Sequence, residues 1–537
     1  MTRRRALFAL VAGIYVLAFP YHPGLRSPNE LCRLWQTRAL VEDGTLDINQ
    51  ALRDHGRVGD LSVMHTPEGP RYYPSKAPLL SFAAVPVYAA LQAIAGGGRD
   101  AVGELALVFW SRFFLTVLPT LWMLVFLWRF LRAHLSEPVT DVLVVTYALG
   151  SLAFSYSLLF MSHQTSAVLL FGGFYALWRT SRGDWRRWGY LAAGAFAGAA
   201  VAAEYTSGLG FLGLALFAAL ASAAGEAPGR LTRAARALGL AALGALPFAV
   251  LLGLYHQHCF GGFFETGYRH LNDAAYQPWH LGGFLGIRTP DPRAFVLSFF
   301  SPLRGLFTLS PFLLLALPGL WRLKKAGPAG SLDRALWIFT LALLLGYAYF
   351  TSSFSYSSWG WTTGPRHMTG LVPFLLLPAG LVLERVATGP AWAKGLAAGL
   401  CVASILITGA LTFVNYVPDD VSNGLFALAV PLFSRGYLTP TLLAFLGVPN
   451  PYSGGLLLLA LGVCAIWVGV RLVTRDERRP LPSWPVPALC GLLTVGLLLG
   501  AQALSTRHDR ADVNAERFLE SVWLTPPGTT LHFGLRR

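Results

Sequence analysis

The stretch PNELCRLWQTRALVEDGTLDINQALRDHGRVGDLSVMHTPEGPRYYPSKAP, residues 28–78, is the longest polar run in the chain. It follows the first apolar segment of membrane length. Its ionisable side chains are dense and include Glu30, Arg33, Arg38, Asp47, Asp60, Arg71 and Lys76. Apolar residues recur through it, which is not the composition of a disordered linker. A loop this long between apolar segments is usually functional. We therefore interpret it as the loop that carries the functional site of the protein.

The rest of the chain has the composition of a polytopic membrane protein. Of its 537 residues, 54% are hydrophobic and 13% are charged, about half the charged fraction of a soluble domain. Apolar runs of about 20 residues, enough to cross a bilayer as a helix, recur from end to end. The net charge of +15 does not indicate nucleic-acid binding, because Arg and Lys fall largely in short loops, as the positive-inside rule requires.

The basic loops predict the topology. Arg3, Arg4 and Arg5 place the amino terminus inside and the loop 22–103 outside. The segment after them could be read as a signal peptide, but no small-residue cleavage site follows it, which favours a span. The apolar run 77–96 is predicted to be an interfacial helix on the outer side, because a crossing there would reverse every later basic loop.

The fold class is therefore an all-α polytopic membrane protein with a long first extracytoplasmic loop that carries interfacial helices. About thirteen spans are predicted, at 5–21, 104–131, 138–160, 164–179, 188–204, 207–224, 236–255, 306–321, 334–351, 368–384, 395–416, 453–473 and 486–504. A catalytic module, residues 1–255, holds the first seven spans and the loop 22–103. A second membrane module, residues 256–504, adds the outer loops 256–305, 352–367 and 417–452, and residues 505–537 form an outer tail.

Ionisable and aromatic residues gather in the predicted outer loops. Glu30, Asp60 and Glu204 are candidate general bases for a hydroxyl. Three cations are candidate ligands of a donor phosphate: Lys76, Arg304 and Arg366. Tyr73 and Trp359 are candidates for stacking on a sugar. A transporter is expected to hold its polar residues near the midplane, whereas these lie at one surface, which favours a reaction on a substrate held there.

Metal binding is not indicated by the spacing of possible ligands. Among the twelve histidines, His256 and His258 come nearest to a pair, and their spacing is a weak signal. A divalent metal is compatible with the sequence without being indicated, and no other cofactor is expected. Cys32 and Cys259 lie in predicted outer loops, and the sequence leaves open whether they pair.

The order of these features resembles the GT-C superfamily of membrane glycosyltransferases. A first span is followed by Asn29-Glu30, then by Arg33, then by GPRYYPSKAPL at residues 69–79 and a short outer helix. The pattern is most similar to the branch of lipid A aminoarabinose transferases and protein O-mannosyltransferases. That branch has an Asp-Glu pair, an Arg and a Lys-Pro-Pro-Leu motif in these places. The resemblance covers the first seven spans well and is looser beyond them.

The resemblance implies transfer of a sugar, a hexose or a pentose, from a polyprenyl-phosphate donor. The acceptor would be a glycolipid, an envelope glycan or a protein outside the inner membrane of a bacterium. It implies that Glu30 is the base, that Lys76 binds the donor phosphate, and that Asn29, Arg33 and His163 lie near the acceptor.

Asn29 departs from the family, which has Asp there. The alternatives to Glu30 as the base are therefore Asp60, Glu204 and an inactive chain. The alternative role of Glu30 is an ion pair with Arg33. The open alternative functions are a transporter or flippase of a lipid-linked glycan and a non-catalytic envelope assembly protein.

The non-crossing of residues 77–96 is testable by chemical labelling. A cysteine introduced at Gly98, in a background without Cys32 and Cys259, should react with a membrane-impermeant thiol reagent added outside intact cells. The reason is that Gly98 follows a helix that stays on the outer surface. Labelling only after permeabilisation would contradict the prediction and reverse every later loop.

Overall fold

A computed structural model describes residues 3–22, 27–225, 228–283, 285–354, 360–474, 484–522 and 528. Trp359, a predicted sugar-binding residue, lies outside the described residues. The chain is predominantly helical, with one two-stranded antiparallel sheet among the described residues. The predicted all-α class is thereby confirmed. The small β-hairpin was not predicted from the sequence.

The first half of the chain is a helical bundle interrupted by one folded loop. The loop contains the strands β1 (Leu61–Thr66) and β2 (Gly69–Pro74). The helices of this half are α1 (Arg3–Leu17), α2 (Pro28–Arg38), α3 (Asn49–His55), α4 (Leu79–Ile94), α5 (Glu104–Arg112), α6 (Leu118–Arg132), α7 (Glu137–Gly150), α8 (Leu152–Ser157), α9 (Ser162–Ser181), α10 (Trp188–Ala203), α11 (Gly208–Ser222) and α12 (Arg230–Phe260). A π-helical turn, Phe113–Val117, joins α5 to α6 without a break.

The second half adds twelve helices of four to 24 residues, separated by irregular loops. Its helices are α13 (Gln277–Leu281), α14 (Pro292–Phe300), α15 (Leu306–Leu309), α16 (Ala316–Ala326), α17 (Leu332–Ser353), α18 (Leu376–Ala387), α19 (Ala391–Val414), α20 (Val430–Ser434), α21 (Leu442–Phe445), α22 (Tyr452–Val473), α23 (Pro485–Leu504) and α24 (Arg510–Val522). Short 3₁₀ turns, Arg366–Gly370 and Val372–Leu375, lead into α18.

Seven described helical segments are long and apolar enough to cross a membrane: Glu104–Arg132, Tyr205–Ser222, Arg230–Phe260, Leu332–Ser353, Ala391–Val414, Tyr452–Val473 and Pro485–Leu504. The other predicted spans coincide with shorter, more polar or interrupted helices. The span 138–160, for example, is divided into α7 and α8 at Ser151, which adopts an extended conformation (φ −139°). The protein is therefore an integral membrane protein of many helices.

α4 lies on the same side of the bundle as the loop that precedes it. Arg99, which follows α4, forms ion pairs of 2.6 Å with Asp43 and 2.9 Å with Asp54. Asp100 pairs with Arg38 at 2.8 Å. Since the partners all precede α4 in the same loop, the segment after α4 is tied back to that loop. That residues 77–96 do not cross the membrane stays a prediction.

The folded loop is fastened to the bundle by buried side chains of α2. Ser27 caps α2 through its hydroxyl, and Pro28 occupies the first turn, where no backbone donor is needed. The buried guanidinium of Arg33 donates to the Ala77 carbonyl at 2.8 Å and to Ser162 Oγ at 3.0 Å. One side chain thus joins α2 to the start of α4 and to the start of α9, and the loop 28–78 is held over the ends of the membrane helices.

Candidate functional site

The β-hairpin brings Asp60 and Lys76 together. β1 pairs with β2 so that Leu61 is opposite Pro74, which makes the residues just before and just after the hairpin neighbours. Lys76 Nζ lies 3.0 Å from Asp60 Oδ1. Asp60 has a φ of 60°, a left-handed conformation that Asp tolerates better than most residues. The geometry of this ion pair therefore follows from strand pairing.

A cavity of about 1320 Å³ joins this pair to the membrane helices. At its polar end it is lined by Asp60, Lys76, Glu204 and Arg366, four of the residues that the sequence nominated. The wall contributed by α10, α11 and α12 is apolar and includes Val201, Phe211, Leu212, Phe248, Ala249 and Leu252. The cavity therefore offers charge at one end and an extended apolar surface at the other.

Two cations face the polar end. Lys76 is 8% exposed, and its Nζ lies 3.4 Å from the Tyr268 hydroxyl. Burial would lower the pKa of Lys76, but the charge of Asp60 raises it above its ordinary value, so this side chain is an ammonium. Arg366 Nε is buried and has no hydrogen-bond partner among the described residues. A half-buried guanidinium with a buried, open Nε donor in a cavity is suited to an incoming anion.

Burial and the nearby charges also set the protonation states of Asp60 and His280. Burial would raise the pKa of Asp60, but Lys76 and Arg366 lower it below its ordinary value. Burial, with Lys76, lowers the pKa of His280 to about 4, and its ring stacks on Tyr268 at 4.3 Å. Near neutral pH, His280 is therefore uncharged, and Asp60 is a carboxylate.

Glu204 is the end of a buried hydrogen-bond chain that starts at Arg33. Arg33 Nη2 donates to Ser162 Oγ, and the Ser162 hydroxyl donates to Glu204 Oε2 at 2.6 Å. Thr206 approaches the other oxygen, Oε1, at 3.4 Å. Glu204 is 7% exposed and lines the cavity. One carboxylate oxygen is thus fixed by the protein, while the other has only a long contact.

Glu204 also belongs to a set of possible metal ligands. Ligand atoms of His163, Glu204 and His367 lie within 4.8 Å of one another. His163 Nε2 is buried and unpaired among the described residues. Two imidazoles and a carboxylate are ligands that divalent transition metals accept. The three residues come from separate elements, so their spacing along the chain does not reveal the cluster.

Glu30 lies in a buried network beside the cavity. Its Oε1 accepts from Arg112 Nε at 3.0 Å, from Arg112 Nη2 at 2.7 Å and from the Phe160 amide at 2.6 Å. Its Oε2 accepts from the Tyr416 hydroxyl. The ion-pair partner is thus Arg112 and not Arg33, because Arg33 turns towards Asn29 Oδ1 at 3.1 Å. Both oxygens of Glu30 are engaged, and Glu30 is absent from the described residues that line the cavity.

The other nominated residues lie outside the cavity wall as described. Asn29 and Arg33 bond to each other. Tyr73 packs against Phe260 at 5.7 Å between ring centroids. Arg304 donates to the Gly360 carbonyl. Cys32 and Cys259, whose pairing the sequence left open, are both buried free thiols.

Tyr205 and His280, which line the cavity, were not nominated from the sequence, whereas Tyr268 belongs to the outer-loop aromatics that it offered for sugar stacking. Tyr268 and His280 come from the loop 256–305, and Tyr205 follows α10. The Tyr205 hydroxyl is 2.8 Å from His256 Nε2. The run ETGYRHLNDAAYQPWH, residues 265–280, is dense in polar and aromatic residues. That density is the signal that could have drawn attention to this loop.

Comparison with known proteins adds a structural likeness. No family model and no curated protein matches the chain. ArnT from Cupriavidus metallidurans bound to undecaprenyl phosphate is 14% identical, with a TM-score of 0.44 over 92% of this chain and 78% of that one. The oligosaccharyltransferase AglB from Archaeoglobus fulgidus, in complex with an inhibitory peptide and a dolichol-phosphate, is 14% identical, with a TM-score of 0.44 over 77% and 56%.

Both proteins are members of the GT-C superfamily, which is the superfamily that the sequence resembles.

The network around Glu30 predicts a stability effect. Glu30→Gln removes the counter-charge of Arg112, whose side chain is 4% exposed, and a buried charge left unpaired costs roughly 3–5 kcal/mol. We expect a marked loss of thermal stability for the purified protein in detergent. Glu68→Gln, which breaks an exposed pair with Arg71, is the matched control and should leave stability unchanged. Wild-type stability with turnover lost in Glu30→Gln would instead favour Glu30 as the base.

Proposed function

We propose that the protein is a membrane glycosyltransferase that moves a sugar from a polyprenyl-phosphate donor to an extracytoplasmic acceptor. The observation that carries the proposal is the cavity, in which Lys76 and Arg366 meet at the polar end of a long apolar wall. A lipid-linked phosphate has the same division into an anionic head and an apolar chain. The polyprenyl nature of that chain is supported by the sequence resemblance.

The donor phosphate would bind to the two cations at the polar end of the cavity. Arg366 offers a planar set of donors that matches phosphate oxygens, and Lys76 offers a compact point charge. The tail would extend along α10, α11 and α12, where Phe211 and Leu212 present apolar surface. Asp60 holds Lys76 in position until the phosphate arrives, since the pair is already formed at 3.0 Å.

The reaction is a displacement at the anomeric carbon of the sugar. The acceptor oxygen forms the new bond as the bond from the anomeric carbon to the phosphate oxygen breaks, and the electron pair leaves with the phosphate. The leaving group gains one negative charge, so Lys76 and Arg366 stabilise the transition state more than the bound donor. The proton of the acceptor hydroxyl passes to a carboxylate.

Glu204 is the carboxylate best suited to take that proton. Its Oε2 is oriented by Ser162 at 2.6 Å, and its Oε1 has only the long contact to Thr206. Glu30, the base implied by the resemblance, has donors on both oxygens. Asp60 is engaged by Lys76. We therefore assign the base to Glu204, with Asp60 as the alternative.

His163, Glu204 and His367 are also the residues that would hold a divalent cation. A bound cation would supply Lewis acidity and positive charge beside the reacting groups. In either case Lys76 and Arg366 would bind the phosphate and Ser162 would orient Glu204, which would be a cation ligand when the cation is bound and the base when it is not.

The distribution of charge favours an enzyme over a flippase. The charged residues that line the cavity, Asp60, Lys76, Glu204, Asp273, Arg366 and Asp419, all follow or precede helices at one end of the bundle. A flippase needs polar groups through the depth of the membrane. By the basic-loop topology this end is extracytoplasmic, and we infer the inner membrane of a bacterium as the location.

Transfer itself is tested by incubating the purified protein with radiolabelled polyprenyl-phosphate sugars and a membrane extract. We expect label to move from the donor to one acceptor fraction. Movement of the intact donor across vesicle membranes, without transfer, would support the flippase. Neither transfer nor movement, with donor binding retained, would support the assembly protein.

Donor binding should depend on both cations. Lys76→Ala and Arg366→Gln are each expected to weaken binding of a polyprenyl-phosphate by roughly 2–4 kcal/mol, because a desolvated contact to phosphate is lost. Lys76→Arg should recover only part of the affinity. The measurement is isothermal titration or scintillation proximity binding in detergent. Arg269→Gln, which removes a cation from the same outer loop region but outside the cavity wall, is the control. Wild-type affinity in Lys76→Ala would remove the lysine from the site.

Replacement of the base should lower turnover and leave the donor affinity unchanged. Glu204→Gln retains the shape of the side chain but cannot accept a proton, so turnover should fall by a factor of about 10² or more. The donor dissociation constant should stay near that of the wild type. Transfer rates are compared in parallel for Asp60→Asn. If Glu204→Gln transfers sugar at the wild-type rate while Asp60→Asn is inactive, the base is Asp60 and the assignment to Glu204 is wrong.

A further inference from the structure

A second pocket lies at the opposite end of the helices that form the cavity wall. It has a volume of about 550 Å³ and is lined by residues of the α9–α10 connection, α10, α11 and α12. α10 runs from Trp188 at this pocket to Ala203 next to the cavity, and α12 runs from Arg230 to Phe260 in the same sense. The pocket is therefore separated from the proposed active site by the length of the helices, and the basic-loop topology puts it on the inner surface.

Close helix contacts join the helices whose ends line this pocket. A Cβ at Gly189 would lie 1.7 Å from Thr180 Oγ1, and a Cβ at Gly194 would lie 1.8 Å from the Ala241 carbonyl oxygen. A Cβ at Gly244 would lie 2.0 Å from the Leu191 carbonyl oxygen. These glycines let α9, α10 and α12 pack backbone to backbone, so the space between their ends is preformed.

Four arginines line the pocket, and one of them is used to hold the fold. Arg233 donates to the carbonyls of Ser222 and Pro228 and so ties the end of α11 to the start of α12. The side chains of Arg186, Arg187 and Arg236 make no hydrogen bond or ion pair with another described residue. Three guanidinium groups at one small pocket repel one another, which a bound anion would relieve.

The acidic residue nearest in sequence does not neutralise them. Asp184 pairs with Arg179 at 2.8 Å, outside the pocket lining. The amide groups at the start of α10, a helix of sixteen residues, add a partial positive charge on the same side. The field in the pocket is therefore positive from several sources.

Aromatic residues indicate that the pocket lies at the level of the lipid headgroups. Trp185 and Trp188 line it and are 41% and 69% exposed, and Tyr190 lines it as well. Tryptophan and tyrosine concentrate at the level of lipid headgroups. The positive-inside rule accounts for arginines in this connection, but it requires neither a walled pocket nor tryptophans around it.

We propose that this pocket binds the phosphate headgroup of an anionic membrane phospholipid. Arg187 and Arg236 would contact the phosphate oxygens as planar donors, while Trp185 and Trp188 contact the glycerol and the upper acyl chains. Basic pockets between helices on the cytoplasmic side are suited to such headgroups. The site would fix the α9–α10–α12 unit that also forms the wall of the donor cavity.

The test uses the full chain purified in detergent and depleted of lipid. Binding of phosphatidylglycerol and of phosphatidylcholine is measured by native mass spectrometry as a lipid titration. We expect one preferred phosphatidylglycerol site, with at least a tenfold weaker affinity in the variant Arg187→Gln/Arg236→Gln. Arg322→Gln, an exposed cation in α16 outside the pocket lining, is the control and should leave the affinity unchanged.

Two further measurements distinguish a lipid headgroup from free phosphate and test whether the double variant is still folded. Inorganic phosphate at millimolar concentration should not displace phosphatidylglycerol; displacement would overturn the lipid assignment in favour of a free phosphate site. The double variant should unfold at the wild-type temperature in phosphatidylcholine. Wild-type affinity for phosphatidylglycerol in the double variant, or equal affinity for both lipids in the wild type, would overturn the proposal.

Discussion

The buried guanidinium of Arg33 is the contact on which the arrangement of the site depends. It is 1% exposed and donates to Asn29 in its own helix, to Ala77 just before α4 and to Ser162 at the start of α9. A buried cation must be satisfied by several acceptors, so its position defines where the loop 28–78 lies on the bundle. The same guanidinium orients the Ser162 hydroxyl that holds Glu204. Fold and site are therefore coupled through one side chain.

The helices α10 and α12 serve both ends of the molecule. At one end they form the apolar wall of the cavity that contains Lys76 and Arg366, and at the other they form the basic pocket. Close packing at Gly194 and Gly244 joins them in between. An amphiphilic ligand in the cavity and a lipid headgroup in the pocket would thus contact one rigid unit.

The site draws on both of the modules that the sequence predicted. Asp60, Lys76 and Glu204 come from residues 1–255, whereas Tyr268 and Arg366 come from residues 256–504. The described part of the tail also returns to this end, where Asp512 accepts from the Ser422 amide at 2.7 Å. The candidate bases Asp60 and Glu204 thus both come from the first module, whereas the cavity itself is built from both modules.

The sequence by itself determined the membrane class and the nomination of Lys76 and Arg366, and it predicted an outer position for α4. These follow from the length of apolar runs, the sidedness of basic loops and residue chemistry, which are local properties. Only the tertiary structure decided that Glu30 pairs with Arg112, that a hairpin joins Asp60 to Lys76, and that Glu204 meets His163 and His367. Arg112 lies 82 residues from Glu30 in the chain, and Ser162 lies 42 residues from Glu204. Whether a carboxylate is a base or an ion-pair partner depends on which donors surround it, and packing between distant helices decides that.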